Sequence, residues 1–212
     1  PPPDTPARQH ASAARLAADA LGATPMNRPE WTSVAPNGDV YCTLTNSGGV
    51  SLAGNAANPT ITQSDGHIIR WRDADEHVGQ RFDWDIFVIA KSTHGTQSSF
   101  SDPDGLWIDP DGRMFVQTDG GQKDNLQDQL LVTHIDDDQA PPDFRRLLVG
   151  VNGDEITGIA TTPDRRTLFC NSQHPGNGDP ALTNIPAPTD GVTIPRDTTL
   201  VLTRRDGGVV GS

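Results

Sequence analysis

One pattern written three times constrains this chain more than any other feature. The copies run from Arg28-Pro29-Glu30-Trp31 to Tyr41, from Asp102-Pro103-Asp104-Gly105 to Phe115, and from Glu155-Ile156-Thr157-Gly158 to Phe169. Aligned on Pro36, Pro110 and Pro163, they place Arg28, Asp102 and Glu155 eight residues before the proline, and Glu30, Asp104 and Thr157 six before it. Each copy reads as an apolar strand, a turn of Pro with Asn/Asp-Gly or Asp-Arg-Arg, and a second strand, which is good chemistry for a tight hairpin. Charge carried at the same point of every unit gathers in one place when the units stack. A metal or phosphate site is therefore the leading expectation.

Further strands are predicted at Gly66–Arg72 and Trp84–Lys91 behind the first hairpin, and at Gln129–Ile135 and Phe144–Gly150 behind the second. Four strands in about 50–75 residues is the size of a β-propeller blade with inserted loops. The third unit has its hairpin, a Gly/Pro/Asn-rich loop from Ser172 to Pro195, and one more strand at Thr199–Arg204. The expected fold is all-β. A partial β-propeller over 25–212, with about three blades at 28–91, 100–150 and 153–212, follows a Pro-rich lead and short helix over 1–24. Three blades cannot close a ring and would leave edges unprotected, so the chain reads as the C-terminal part of a larger propeller. It also begins on Pro-Pro-Pro-Asp rather than Met. Thr5 as cap and Pro6 in the first turn predict the helix, and Gly22 ends it. Its small apolar face (Ala14, Leu16, Ala17, Ala20, Leu21) is expected to lie against the larger body.

The net charge of -12 argues against a nucleic-acid partner, because phosphates reward Lys and Arg. It suits cations, or simple solubility. Only three glutamates occur, Glu30, Glu76 and Glu155, and two of them lie in the repeated unit. Cys42 and Cys170 each follow an aromatic residue and read as small buried hydrophobes rather than a disulfide or a metal pair. No apolar run approaches the roughly 20 residues of a membrane span, and no signal peptide opens the chain.

In a propeller the first strand of each blade starts at one mouth of the central channel and the second returns there. Arg28, Glu30, Asp102, Asp104 and Glu155 should therefore meet Asn46, Asp119 and Asn171 on one rim. Carboxylates with amide and backbone oxygens are what Ca²⁺ takes, about six to eight at a time, and acids crowded without a cation repel. Arg28 either pairs with Glu30 or holds phosphate bidentately. Asn37, Asp109, Asp111 and Asp164 read as turn caps. His67, His94, His134 and His174 share no ligand spacing, although His174 in Gln173-His174-Pro175-Gly176 stands apart. Neither Gly-x-Ser-x-Gly nor a Walker loop occurs.

At these residues the chain resembles the PhoX-type alkaline phosphatases. The resemblance rests on Met26-Asn27-Arg28-Pro29-Glu30-Trp31, Gly66-His67-Ile68-Ile69-Arg70-Trp71, Asp102-Pro103-Asp104-Gly105-Leu106, Gly153-Asp154-Glu155-Ile156-Thr157-Gly158 and Phe169-Cys170-Asn171-Ser172-Gln173-His174-Pro175-Gly176. It runs in order from about Thr24 to the end. It implies a secreted or periplasmic, Tat-exported phosphomonoesterase on a six-bladed propeller, using Ca²⁺ and Fe³⁺ on a small-molecule phosphomonoester. It further implies Glu30 as an iron ligand, Arg28 as the phosphate-binding arginine, and Asp102, Asp104 and Glu155 as calcium ligands, with Asp119 and Asn171 behind them. The family's iron-binding cysteine belongs to the N-terminal half, which is absent here, so Cys42 and Cys170 do not fill that role. That missing half becomes the expected partner, and this part alone should bind metal incompletely and turn over little. Two readings compete: a non-catalytic calcium-binding propeller that holds partners or sugars, and a lactonase-like calcium propeller. A structural calcium needs no arginine such as Arg28 beside it, and a lactonase does not explain Gln173-His174-Pro175-Gly176.

Overall fold

A computed structural model describes residues 13–46, 54–59, 65–92, 98–120, 126–136, 142–187 and 193–212. Among them, strands form three antiparallel sheets, each an up-and-down meander in chain order. The first holds β1 (Pro29–Val34), β2 (Val40–Leu44), β3 (His67–Asp73) and β4 (Phe82–Ile89). The second holds β5 (Pro103–Ile108), β6 (Arg113–Thr118), β7 (Gln129–His134) and β8 (Arg145–Val149). The third holds β9 (Glu155–Thr161), β10 (Thr167–Gln173) and β11 (Thr198–Thr203). The five strands predicted outside the hairpins are all present, none displaced by more than two residues.

The helix is the exception. Helix α1 covers Ala14–Ala20 and ends at Gly22, whose φ of 65° few other residues adopt. Thr5 and Pro6 lie outside the described residues. The apolar face does not lie against the sheets, because Leu16 and Leu21 are 71% and 79% exposed. An alanine-rich face offers little area to bury, so packing gives it a weak pull.

The repeated hairpin carries a repeated irregularity. In β1, Pro29 faces Leu44 and Thr32 faces Cys42, so Glu30 and Trp31 together oppose Thr43. In β5, Asp104 and Gly105 oppose Gln117 in the same way. In β9, Gly158 and Ile159 oppose Cys170, one position later in the unit. Such a β-bulge bends its strand and re-aims a side chain. Both acids six residues before the proline therefore sit in a bulge.

The residue opposite a bulge reaches the next sheet. Thr43 Oγ1 accepts from Trp31 N–H at 3.1 Å and donates to the Asp104 carbonyl at 2.6 Å. Gln117 Nε2 donates to the Gly158 carbonyl at 2.8 Å. These links set β1, β5 and β9 side by side. Apolar layers fill the space behind them: Tyr41, Ile68, Phe100, Leu106, Met114 and Phe144 between the first two sheets, and Phe115, Leu130, Ile156, Leu168 and Cys170 between the last two. Among the described residues no further sheet covers the other face of the first sheet (Cys42, Leu44, Ile69, Trp71, Ile86), and Trp31, Phe82 and Trp84 are 40%, 56% and 42% exposed.

Three of the four expected turn caps behave as such, while Asp111 instead pairs with Arg113 and Arg165. Asn37 Oδ1 accepts from Asp39 N–H, Asp109 Oδ1 from the N–H groups of Asp111 and Arg113, and Asp164 Oδ1 from Arg166 N–H. Arg165 then ties the third hairpin to the second, 2.8 Å from Asp111 Oδ2 and 3.4 Å from Asp109 Oδ2. Cys42 and Cys170 are free, buried thiols, and burial pushes both up to about 11. Among the described residues no helix is long and apolar enough to cross a membrane.

Thr43→Val removes the bridge from the first sheet to the Asp104 bulge and leaves buried backbone groups without it. Urea unfolding should show a loss of about 1–3 kcal/mol, and Thr43→Ser should recover most of it.

Candidate metal and phosphate site

The bulges and strand ends bring most of the repeated charges to one end of the molecule, beside a cleft. Arg28 enters β1 with φ at 44°, a strained value for a non-glycine residue. Its Nη2 lies 3.1 Å from Glu30 Oε1, and Nε donates to the same oxygen at 3.3 Å. Nη2 also lies 3.8 Å from Asp119 Oδ2, which belongs to the turn after β6. One guanidinium thus joins the first sheet to the second.

The third sheet supplies the opposite wall. Glu155 opens β9 and faces Gln173 across the ladder, and Gln173 Nε2 donates to Glu155 Oε2 at 2.8 Å. His174 follows with φ at 42°, its backbone N–H donating to Asp197 Oδ1 at 2.7 Å. His174 Nδ1 lies 2.9 Å from the Gly153 carbonyl. A carbonyl only accepts, so Nδ1 carries the proton and Nε2 is left facing Glu155 Oε2, 3.5 Å away. One ligand atom from each of Asp119, Glu155 and His174 lies within 4.8 Å of the others. Arg28, Asp119, Gly153, Asp154, His174 and Asn177 line the cleft, whose volume is about 470 Å³.

The electrostatics follow from this crowding. Burial, and then the carboxylates of Glu30, Glu155 and Asp119, push Asp104 up to about 6, with Arg28 opposing. Burial and Asp119 likewise raise Glu155, opposed by His174. For His174 burial works downward, but the Gly153 carbonyl and the Glu155 and Asp119 carboxylates prevail and its pKa rises. Among the described residues, Glu30, Asp104, Asp119, Asp154 and Glu155 gather at this end of the molecule around Arg28. Oxygen donors in such excess, with an imidazole among them, fit bound cations.

Of the residues singled out in the sequence, Arg28, Glu30, Asp104, Asp119 and Glu155 are brought together. Asp102 is 1% exposed and turned behind the rim, where its Oδ1 accepts from Asn46 Nδ2 at 2.6 Å. Asn171 faces Thr157 in the ladder, and its Oδ1 accepts from Thr199 Oγ1 at 2.9 Å, toward β11 rather than Glu155. The residue beside Glu155 is Gln173. No spacing marks it, because only the β9–β10 register pairs the two. His174 stood out in the sequence by its Gln-His-Pro-Gly setting alone. His67 is buried on the Ala57 carbonyl and His134 sits on the Asp111 carbonyl, while His94 lies outside the described residues.

Asp128 holds the turn that carries Asp119. It is 3% exposed, and its Oδ1 accepts from Thr118 Oγ1 at 2.6 Å and Gly120 N–H at 2.7 Å. Burial pushes it up to about 7 from an ordinary 3.8, and the Asp154 and Asp119 charges add to the rise while those two hydrogen bonds oppose it. The folded chain therefore holds this proton more tightly than the unfolded chain, and stability falls as pH climbs through that window. Urea unfolding in chelator should show stability declining from about pH 4 to about pH 7, and Asp128→Asn, which keeps the acceptor, should flatten the upper part of the decline.

Comparisons with known proteins place the chain in a family. The profile of the family described as alkaline phosphatase PhoX matches residues 4–176. The structure of Pseudomonas fluorescens PhoX in complex with vanadate, a transition state analogue, is similar, with a TM-score of 0.81 and 38% sequence identity. The alignment covers 93% of this chain and 37% of that one, so this chain spans little more than a third of its relative's length. A comparison with curated proteins gives no match.

Proposed function

The chain belongs to the PhoX alkaline phosphatase family, and on that premise we propose that it carries one part of a calcium- and iron-dependent phosphomonoesterase site. The observation that supports this reading is Arg28, fixed at the cleft among Glu30, Asp104, Asp119 and Glu155. A guanidinium presents a planar fork that matches phosphate oxygens. The surrounding acids are donors for Ca²⁺, and Glu30 is the proposed ligand to Fe³⁺. When bound, such ions supply charge against the developing phosphoryl transition state and acidify water for the attack.

The chain's own residues then divide the work. Glu30 and Asp119 both hold Arg28. Cations on those carboxylates would draw them from the guanidinium and leave its fork to the substrate phosphate. Asp104 and Glu155, raised by their neighbours, are the acids that gain most from a cation. Asp102 and Asn171 would serve as calcium ligands only if Asn46 and Thr199 released them.

The three sheets read as blades at about 28–91, 100–150 and 153–212 of a larger, six-bladed propeller. Its remaining sheets would cover the exposed face around Trp31, Phe82 and Trp84 and complete the site. The same family reading makes the substrate a small phosphomonoester met outside the cytoplasm after Tat export. A calcium-binding interaction module, or a lactonase-like propeller, would leave Arg28 only its bridge between Glu30 and Asp119 and no anion to hold.

The test is p-nitrophenyl phosphate turnover with calcium and iron, by this chain alone and with the N-terminal portion supplied. Little turnover is expected alone and clear turnover with both parts. Arg28→Ala should then lower kcat/KM by roughly 10²–10³-fold, and Arg28→Lys should restore only a fraction. Absence of turnover with both parts and both metals would reject the phosphatase reading.

A further inference from the structure

The three sheets end in unlike outer edges. β4 carries Asp83 and Asp85, and β8 carries Arg145 and Arg146. Such charges keep an open strand edge from joining another chain. β11 is Thr-Thr-Leu-Val-Leu-Thr, with no charge and no proline. Among the described residues it pairs with β10 alone, where each of the other two sheets has a fourth strand. β9 makes the third sheet's contacts with β5, β6 and β7, and β10 is the neighbour of β11. The open side of β11 therefore presents unpaired backbone N–H and C=O groups, with Val201 60% exposed among them. We infer that this edge is an interaction surface for a second copy of the chain, the two β11 strands pairing antiparallel about Val201.

The edge is complementary to itself. Thr199-Leu200-Val201-Leu202-Thr203 reads the same in both directions. An antiparallel pair centred on Val201 sets it against the partner's Val201, Leu200 against the partner's Leu202, and Thr199 against the partner's Thr203. Opposed residues share a face of the ladder, and β-branched and Thr–Thr pairs stabilise it. Leu200 and Leu202, which pack on the apolar layer shared with the second sheet, gain leucine neighbours on that same side. A slip of one residue would turn the partner's apolar side to the opposite face.

The flanks are complementary in charge. The same register brings Asp197 to the partner's Arg205 and Arg196 to the partner's Asp206. All four residues are exposed. Asp197 Oδ1 also accepts from His174 N–H, and Asp206 Oδ2 lies 2.7 Å from Arg204 Nη2, but a carboxylate accepts from several donors at once. The chain turns after the strand, where Gly207 N–H donates to the Arg204 carbonyl at 3.0 Å. These pairs therefore join side chains and do not extend the ladder. A net charge of -12 holds two copies apart, whereas the segment 196–206 carries three arginines and two aspartates. A contact of one strand edge buries less than the roughly 1,200 Å² of a standard interface, so the dimer is weak and depends on concentration.

The experiment is analytical ultracentrifugation of the purified chain over a wide range of concentration, for wild type, Val201→Lys and Arg205→Glu, with circular dichroism to check each fold. Wild type should show a monomer–dimer equilibrium. Val201→Lys sets like charges face to face and should leave monomer alone, and Arg205→Glu should weaken the dimer about 2–10-fold. Val201→Cys and Thr199→Cys then read the register under mild oxidant, with wild type, whose thiols are buried, as the control. Opposed residues have Cα atoms about 4.5–5.5 Å apart, within reach of a disulfide, so Val201→Cys should give a covalent dimer. The two Thr199 positions would be offset by four residues, roughly 13 Å, and Thr199→Cys should not. A wild type that is monomeric at every concentration overturns the inference. So does a folded Val201→Lys that still dimerises, an unchanged Arg205→Glu dimer, or Thr199→Cys that cross-links as readily as Val201→Cys. If Val201→Lys does not fold, the two cysteine variants decide. A chain that stays monomeric and engages β11 only when the N-terminal portion is added also overturns it, and assigns the edge to that portion.

Discussion

The arrangement depends on a hydrogen bond thrown from one sheet to the bulge of the next. Thr43 donates to the Asp104 carbonyl, and Gln117 donates to the Gly158 carbonyl. Each bond satisfies a carbonyl that a bulge has pulled out of its own ladder. Each also fixes the height of one sheet against its neighbour. Apolar packing alone would press the sheets together but tolerate a slide, because burial is not directional. A slide of one residue would separate Arg28 from Asp119 and Glu155 from the cleft.

Once the sheets are registered, electrostatics take over. Asp104 is pushed up to about 6 and Glu155 is also raised, because burial and neighbouring carboxylates both oppose their charge. The acids of the hairpin turns need no such explanation: Asp109 and Asp164 accept from turn N–H groups, and Asp111 pairs with Arg113 and Arg165. Acidity used for capping and acidity left in excess are thus separated in space. Only the second kind creates a demand for cations.

Much of this was legible in the residues. Alternating apolar positions and Pro-Asn/Asp-Gly turns located the five strands outside the hairpins to within two residues. The three-fold repeat identified Arg28, Glu30, Asp104 and Glu155, because equal offsets in stacked units converge whatever the loops between them do. The helix was located, but not its solvent-exposed setting, since an apolar stripe does not reveal whether anything covers it. Gln173 was invisible: its value comes from facing Glu155 across a ladder whose register is shifted by a bulge. Asp102 and Asn171 share the offsets of the other candidates but are turned to Asn46 and Thr199. Side-chain direction at a strand end is decided by local backbone angles, and Asp102 has a φ of 53°.

The sequence by itself determined the sheets, the turns that join them, the sign of the site's charge and the family to which those residues belong. These are local properties, set by periodicity, turn chemistry and composition over a few residues at a time. Tertiary structure decided which acids share a cleft, which are spent on capping or on Asn46 and Thr199, and that His174 points its Nε2 at Glu155. Those outcomes depend on bulge positions and inter-sheet hydrogen bonds between residues tens of positions apart, and no local pattern records such contacts.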